Sequence, residues 1–370
     1  MSEHPASNAA PGPNLGHAET PVAFVNAIVH AYARRELNPA GMLKQAQITP
    51  TILEKPQARV TALQFELASA AAMRELDDEA LGWFERRLPW GSYGMLVRAS
   101  LTAPTLGVAL KRWCRHHNLL TGSIQLSVSE KDGVASLNLE ELTDLGVLRE
   151  FCIVSVLRNA LGVACWLSDS RIALQRTTLR YAPPLHKDSY RVLFDGPCSF
   201  DAEANSLQFD ALYLGLPVRR DEAALQRMLE RALLLTVRPY RRDRLLVEKT
   251  RQLLRQDAAV LRSADALAER LNLSVRSLHR QLHEEDSSLQ AIKDAVRREL
   301  ALELLLRSQR PIKQIAERVG FQNEKSFLRA FKSWTGQTAD AVRQTAMQSL
   351  SPATSQDRAR IARPRAPRTA

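Results

Sequence analysis

Eight residues of this chain occur twice in degenerate form, and that repeat constrains the fold more than any other feature. Ala266-Leu267-Ala268-Glu269-Arg270-Leu271-Asn272-Leu273 is echoed 48 positions later by Gln314-Ile315-Ala316-Glu317-Arg318-Val319-Gly320-Phe321. Arg280 and Leu282 then correspond to Arg329 and Phe331 at an offset of 49, so the extra residue falls in the turn between them. In each copy Leu267 or Ile315 is placed to pack inward, and Ala268 or Ala316 is small enough to let a second helix cross closely. A residue that tolerates positive φ follows, Asn272 or Gly320, and then an apolar anchor, Leu273 or Phe321. This is the steric grammar of a helix-turn-helix.

Ser274 and Asn323 are natural N-caps, so the second helices are predicted over Val275 to Glu284 and Glu324 to Trp334. Leu278, Leu282, Phe327 and Phe331 would be buried. The outward faces would carry Arg276, Ser277, His279 and Arg280 in the first copy, and Glu324, Lys325, Leu328 and Arg329 in the second. Arginine pairs bidentately with guanine, and serine or a helix N-terminus suits phosphate oxygens. Between the copies, Leu289, Ile292, Val296, Leu300 and Leu304 form one stripe of a helix predicted from Leu289 to Arg307. At about 1.5 Å per residue such a rod is roughly 28 Å long, near the roughly 34 Å repeat of B-DNA, so it could present two reading helices to successive major grooves.

The charge distribution points to the same region. Up to Val237 the chain has 24 Lys+Arg against 25 Asp+Glu; from Arg238 onward it has 27 against 15. The whole excess behind the net charge of +11 therefore lies in the C-terminal part, as a polyanionic partner demands.

The stretches LAERLNLSVRSLHRQLHEE, VRRELALELL and IAERVGFQNEKSFLRAFKSWTGQT resemble the AraC/XylS family of bacterial transcription regulators, over about residues 244–343. The resemblance implies base contacts from Arg276, His279 and Arg280 and from Glu324, Lys325 and Arg329, with Ser274, Ser277, Asn323 and Ser326 completing the expected DNA-binding set. It departs from the family after Trp334-Thr335-Gly336, where Ala339 stands in place of the usual proline and is expected to loosen the final turn. The N-terminal half, about residues 21–220, resembles the arabinose-binding-like effector domain of ornithine- and virulence-type members. LPWGSYGMLVRASLTAPTLGVALKRWCRHHNLL and YAPPLHKDSYRVLFDGPCSFDAEANSLQFDALYLGLPV carry that resemblance. It implies a small-molecule effector and dimerisation, and it assigns no pocket residue.

Residue patterns in that half read as α+β. Phe24, Ile28 and Tyr32 make one helical stripe and Val60, Leu63, Leu67 and Ala71 another, within two or three helices before residue 76. A helix is predicted from Thr102 to Leu120, with Leu106, Leu110 and Trp113 inward. Ile124, Leu126 and Val128, then Val134, Leu137 and Leu139, alternate around Lys131-Asp132-Gly133 as a β-hairpin. A helix over Arg149 to Leu167 follows, then strand-like runs at Arg171 to Arg180, Tyr190 to Phe194 and Leu207 to Phe209, and a helix over Asp221 to Val237. The apolar run Phe151 to Leu167 is broken by Arg158 and Asn159 and is shorter than the roughly 20 residues of a membrane span, so no membrane partner is expected.

The expected organisation is a disordered leader over residues 1–20, an α+β effector domain over 21–237, an all-α tandem helix-turn-helix domain over 238–345 and an Arg-rich disordered tail over 346–370. Double-stranded DNA, RNA polymerase and a small-molecule effector are the expected partners of a cytoplasmic activator. The rivals are an enzyme and an architectural DNA binder. Cys114, Cys152, Cys165 and Cys198 are scattered without a CxxC pair, which argues for reduced thiols and against the Cys-rich site of DNA-alkylation repair proteins. There is no GxSxG elbow or phosphate-binding glycine loop, and His116, His117 and His186 have no evident carboxylate partner. Neither metal nor cofactor is expected. An architectural binder would rely on minor-groove wedges or long basic arms rather than two base-reading helices.

Overall fold

The longest described helix, Arg149–Ser168, supplies much of the core of the first unit. In the computed structural model, which describes residues 18–230, 232, 243–256, 261 and 263–350, the chain forms two compact units, one up to Leu245 and one from Leu246. Residues 231 and 233–242, which hold the end of the helix expected over Asp221 to Val237 and the start of the expected DNA-binding domain, lie outside the described residues. Asp243 and Arg244, next to them, are tied to the first unit: the Tyr213 hydroxyl donates to Asp243 at 2.8 Å, and Arg244 pairs with Asp169 at 2.7 Å.

The first unit contains helices α1 (Val22–Ala33), α2 (Ala40–Gln45), α3 (Pro50–Leu53), α4 (Ala62–Glu75), α5 (Ser92–Leu101) and α6 (Leu106–Leu120), then α7 (Arg149–Ser168), α8 (Tyr190–Leu193) and α9 (Glu222–Leu229). α7 is apolar on most of its surface from Phe151 to Leu167, and apart from the half-buried Ser155, Arg158 and Asn159 those residues are buried. Strands β1 (Ala18–Pro21) and β2 (Arg59–Thr61) pair with each other. Strands β3 (Ile124–Lys131), β4 (Val134–Glu141), β5 (Leu174–Thr178), β6 (Cys198–Ser199) and β7 (Asn205–Asp210) form a sheet in the order β3-β4-β7-β5-β6, parallel only between β5 and β6. The β3–β4 hairpin is the expected one. Lys131 pairs with Val134 across Asp132 and Gly133, whose φ values of +51° and +78° are those of a type I′ turn.

Four expectations need correction. Ala18–Thr20, the end of the expected leader, belong to β1, which pairs with β2, and residues 1–17 lie outside the described residues. Val60 belongs to β2, and α4 begins only after a capping box in which Thr61 and Gln64 bond reciprocally at 3.1 and 3.0 Å. Its buried face is therefore Ala68, Ala71 and Ala72, while Leu63 is exposed. Tyr190–Leu193 is helical rather than extended, because Tyr190 is buried as a hydrogen-bonded anchor. Residues 346–350 of the expected tail are the end of the last helix, Ala339–Leu350, and residues 351–370 lie outside the described residues.

The second unit has two small cores, one on Val247, Leu254, Leu267, Leu278 and Leu282, the other on Ile315, Ala316, Phe327 and Phe331. The linking helix Leu289–Arg307 serves both. Leu289, Ile292 and Val296 enter the first core, Ala301 and Leu305 enter the second, and Leu300 packs against each. The expected stripe is thus right for its first half. Leu304 is only partly buried, because a helix that passes from one core to the next must change the face it buries.

Candidate nucleic-acid interface

Both repeats fold as the residue pattern dictates, with the same turn hydrogen bond in each. In the first, the helix Ala264–Arg270 is capped by Ser263, whose Oγ accepts the Ala266 N–H at 3.2 Å. Asn272 adopts φ +53°, and the Leu273 N–H donates to the Ala268 carbonyl at 2.9 Å. In the second, the helix Ile312–Arg318 leads to Gly320 at φ +86°, and the Phe321 N–H donates to the Ala316 carbonyl at 2.9 Å. The two alanines are buried at 2% and 1% exposure, as close helix crossing requires.

The second helices run Val275–Glu284 and Glu324–Thr335. Ser274 Oγ accepts the Ser277 N–H at 3.1 Å, and Asn323 Oδ1 accepts the Ser326 N–H at 2.8 Å, so both caps form as expected. Leu278, Leu282, Phe327 and Phe331 are fully buried and fix the rotation of each helix. That rotation leaves Arg276, His279 and Arg280 exposed on the first, and Glu324, Lys325, Ser326 and Arg329 exposed on the second; Ser277 is half-buried. Ser274 and Asn323 are exposed at the helix N-termini. Leu328, expected to face outward, is half-buried and packs against the second core. Arg280 pairs with Glu284 at 3.1 Å, with side chains 65% and 60% exposed. Such a pair is worth little in water and yields readily to a phosphate or base edge. Among the described residues, Arg276, Lys325 and Arg329 make no ion pair.

Sequence reasoning missed Arg297. Its guanidinium donates to the Leu261 carbonyl of the first core at 3.0 Å and lies 5.0 Å from the centre of the Phe321 ring of the second. Burial lowers its pKa from the ordinary arginine value. One side chain thus ties the two helix-turn-helix units together. An arginine in the middle of a charged helix gives no sequence signal for that role. Ala339 is buried at the first position of the last helix, behind Thr338, whose Oγ1 accepts the Ala341 N–H at 3.2 Å. A proline would fit the same place, and the final turn forms without it.

In the first unit His186 does have a carboxylate partner. Its Nε2 lies 2.7 Å from Glu150, which also accepts the Tyr190 hydroxyl at 2.7 Å, and Tyr190 in turn meets the Tyr181 hydroxyl at 2.7 Å. The residues are 36 and 40 positions from Glu150, beyond the reach of local patterns. Phe24 closes on the His186 ring edge-to-face, so the group is an enclosed polar knot of the core. Cys114, Cys152 and Cys165 are buried and Cys198 is half-buried, all as free thiols. Burial pushes the Cys114 thiol up to about 12 and the Cys165 thiol up to about 11.

Two family profiles match the chain. The arabinose-binding domain of AraC transcription regulator, N-terminal, matches residues 37–218, and a helix-turn-helix domain matches residues 267–345. The ornithine utilization regulator of Pseudomonas aeruginosa is 28% identical over 88% of this chain and 96% of its own length. The HTH-type transcriptional regulator VqsM of the same organism is 36% identical over 20% of this chain and 23% of its own. Among solved structures, the transcriptional regulator CdpR from Pseudomonas aeruginosa is 20% identical, with a TM-score of 0.32, over 87% of this chain and 98% of its own.

Proposed function

The chain belongs to the AraC family of transcription regulators, with an effector-binding domain joined to a DNA-binding helix-turn-helix region, and we propose that it activates specific promoters under the control of a small molecule. The observation that carries this reading is the pair of exposed polar helix faces, each anchored from behind by two fully buried apolar side chains. In this reading Arg276, His279 and Arg280 contact one groove segment, and Lys325 and Arg329, with Glu324, contact the next. Ser274, Ser277, Asn323 and Ser326, at the helix N-termini, meet the flanking phosphates. The linking helix of 19 residues sets the spacing, so one chain reads about two helical turns of an asymmetric site.

The first unit supplies control. A regulator named for ornithine utilization aligns along nearly its whole length, which supports a small metabolite as effector. Binding shifts a two-state equilibrium of the regulator, changing promoter occupancy or contact with RNA polymerase. Dimerisation through the first unit and work at the cytoplasmic nucleoid belong to the same proposal. The test is a fluorescence-anisotropy titration of the full chain on a selected operator against random DNA. Specific reading predicts a preference of roughly a thousandfold or more. Arg280→Ala and Arg329→Ala each cost about 1–3 kcal/mol on the operator only. Equal affinity of both variants and the parent for the operator contradicts the assignment.

A further inference from the structure

The first unit encloses a cavity of about 300 Å³ between α4, α5 and α9, within the range of small-molecule sites. Glu66, Arg74, Glu79, Trp90, Tyr93 and Leu229 are among its walls. Three consecutive acids build the loop that shapes it. Asp77 accepts the Trp90 N–H at 3.1 Å. Asp78, fully buried, accepts the N–H groups of Ala80, Gly82 and Leu88 at 2.9–3.0 Å. Glu79 accepts the Gly91 and Tyr93 N–H groups at 2.7 and 2.6 Å, one on each oxygen, which leaves acceptor capacity on both. Trp90 presents its ring to a cation already, with the Arg74 guanidinium 5.0 Å from its centre.

A smaller cavity of about 40 Å³ adjoins it, with Met73 and Asn159 lining both. Its polar walls include two buried donors, the Ser69 hydroxyl and the Trp83 indole N–H, in residues 1% and 7% exposed, beside Thr20, Ser155, Arg158 and Asn159. Ser69 Oγ and Trp83 Nε1 are buried without a hydrogen-bond partner, and so is the Tyr93 hydroxyl of the larger cavity. Buried donors of this kind cost about 1–3 kcal/mol each when unsatisfied, and their company beside an open volume marks a place built for a polar guest. The volume is enough for a carboxylate-sized group, since a single water needs about 10–15 Å³ by the same measure.

We propose that these adjoining cavities form the effector site and that it takes a small two-ended molecule. A protonated amine lies toward Glu66, Glu79 and the Trp90 ring; a short apolar chain passes Met73; a carboxylate accepts from Ser69 and Trp83. The outer cavity is acid-rich: Glu66, Glu79 and Glu230 line it with Arg74 and Arg98, and Arg98 is held by Glu222 at 2.6 Å. The inner one supplies donors and a guanidinium. This assignment rests on the reading that a small molecule controls the protein.

The test is thermal unfolding of the full chain at pH 7 with 5-aminopentanoate, pentylamine or pentanoate, alongside a general metabolite panel. The expected result is that 5-aminopentanoate raises Tm by about 5 °C, pentylamine by less and pentanoate not at all. Ala70→Leu, which fills the outer cavity, and Ser69→Ala with Trp83→Phe, which remove the inner donors, abolish or weaken the shift. A shift that survives Ala70→Leu places the ligand elsewhere and overturns the assignment. A response to pentanoate alone, or equal responses to the amine and the amino acid, overturns the two-ended chemistry. If only an unrelated metabolite shifts Tm, the assignment falls while small-molecule control stands; if nothing in either set does, both fall.

Discussion

Replacing Arg297 by alanine should uncouple the two helix-turn-helix units while leaving each folded. The guanidinium gives a charged hydrogen bond to the Leu261 carbonyl at 3.0 Å, worth about 1.5–3 kcal/mol, and a cation–π contact with Phe321, worth about 0.5–1 kcal/mol at a half-exposed site. Against this stands relief of its partial burial, since desolvation already lowers its pKa and its Nε has no partner. The net cost is about 2 kcal/mol, and it falls on the junction rather than on either core. Hydrogen exchange of the full chain followed by mass spectrometry reads this directly. The amides of Leu261 and of the turn at Gly320–Phe321 should exchange about thirtyfold faster, while the buried amides around Leu278 and Phe327 keep most of their protection. Arg297→Lys keeps the charge but not the planar fork, so it should recover only part of the protection. Unchanged exchange at the junction in the alanine variant would refute the reasoning, as would equal loss throughout both cores.

Three further substitutions test the local arguments. Gly320→Ala places a Cβ at φ +86° and 3.2 Å from the Leu261 Cβ, so it should cost about 1–2 kcal/mol or more, whereas Asn272→Gly at φ +53° should be near neutral; urea unfolding compares them. Burial lowers the pKa of His117 to about 4, with its side chain enclosed against Phe84. The unfolded chain therefore binds a proton there between pH 6.5 and about 4 that the folded chain does not. The contribution is complete above pH 6.5 and is lost as the pH falls, by roughly 2 kcal/mol at pH 5. His117→Leu should flatten that part of the stability profile, and an unchanged slope between pH 6.5 and 5 contradicts the assignment.

The legible parts of this molecule were those in which a few adjacent residues settle the matter. Asn272, Gly320, Ser274 and Asn323 fix the two turns and caps within eight residues of chain, and Asp132-Gly133 fixes the hairpin. The hidden parts depend on distant partners. β1 exists because β2 lies 41 residues later, and Tyr190 is helical because Glu150 holds its hydroxyl from 40 residues away. Leu328 looks outward on a helical wheel, yet the second core extends far enough to cover it. The cavity of the first unit comes from α4, the loop before α5, and α9, which no single window of sequence contains.

The central claim is that one chain reads two neighbouring groove segments with two separate helices, and hydroxyl-radical footprinting with base-interference mapping on a selected operator tests it most directly. Two interference patches about 10 base pairs apart on one face of the duplex are expected. Arg276→Ala should erase one patch and Arg329→Ala the other. A single patch, or the loss of both patches together in either variant, would contradict it.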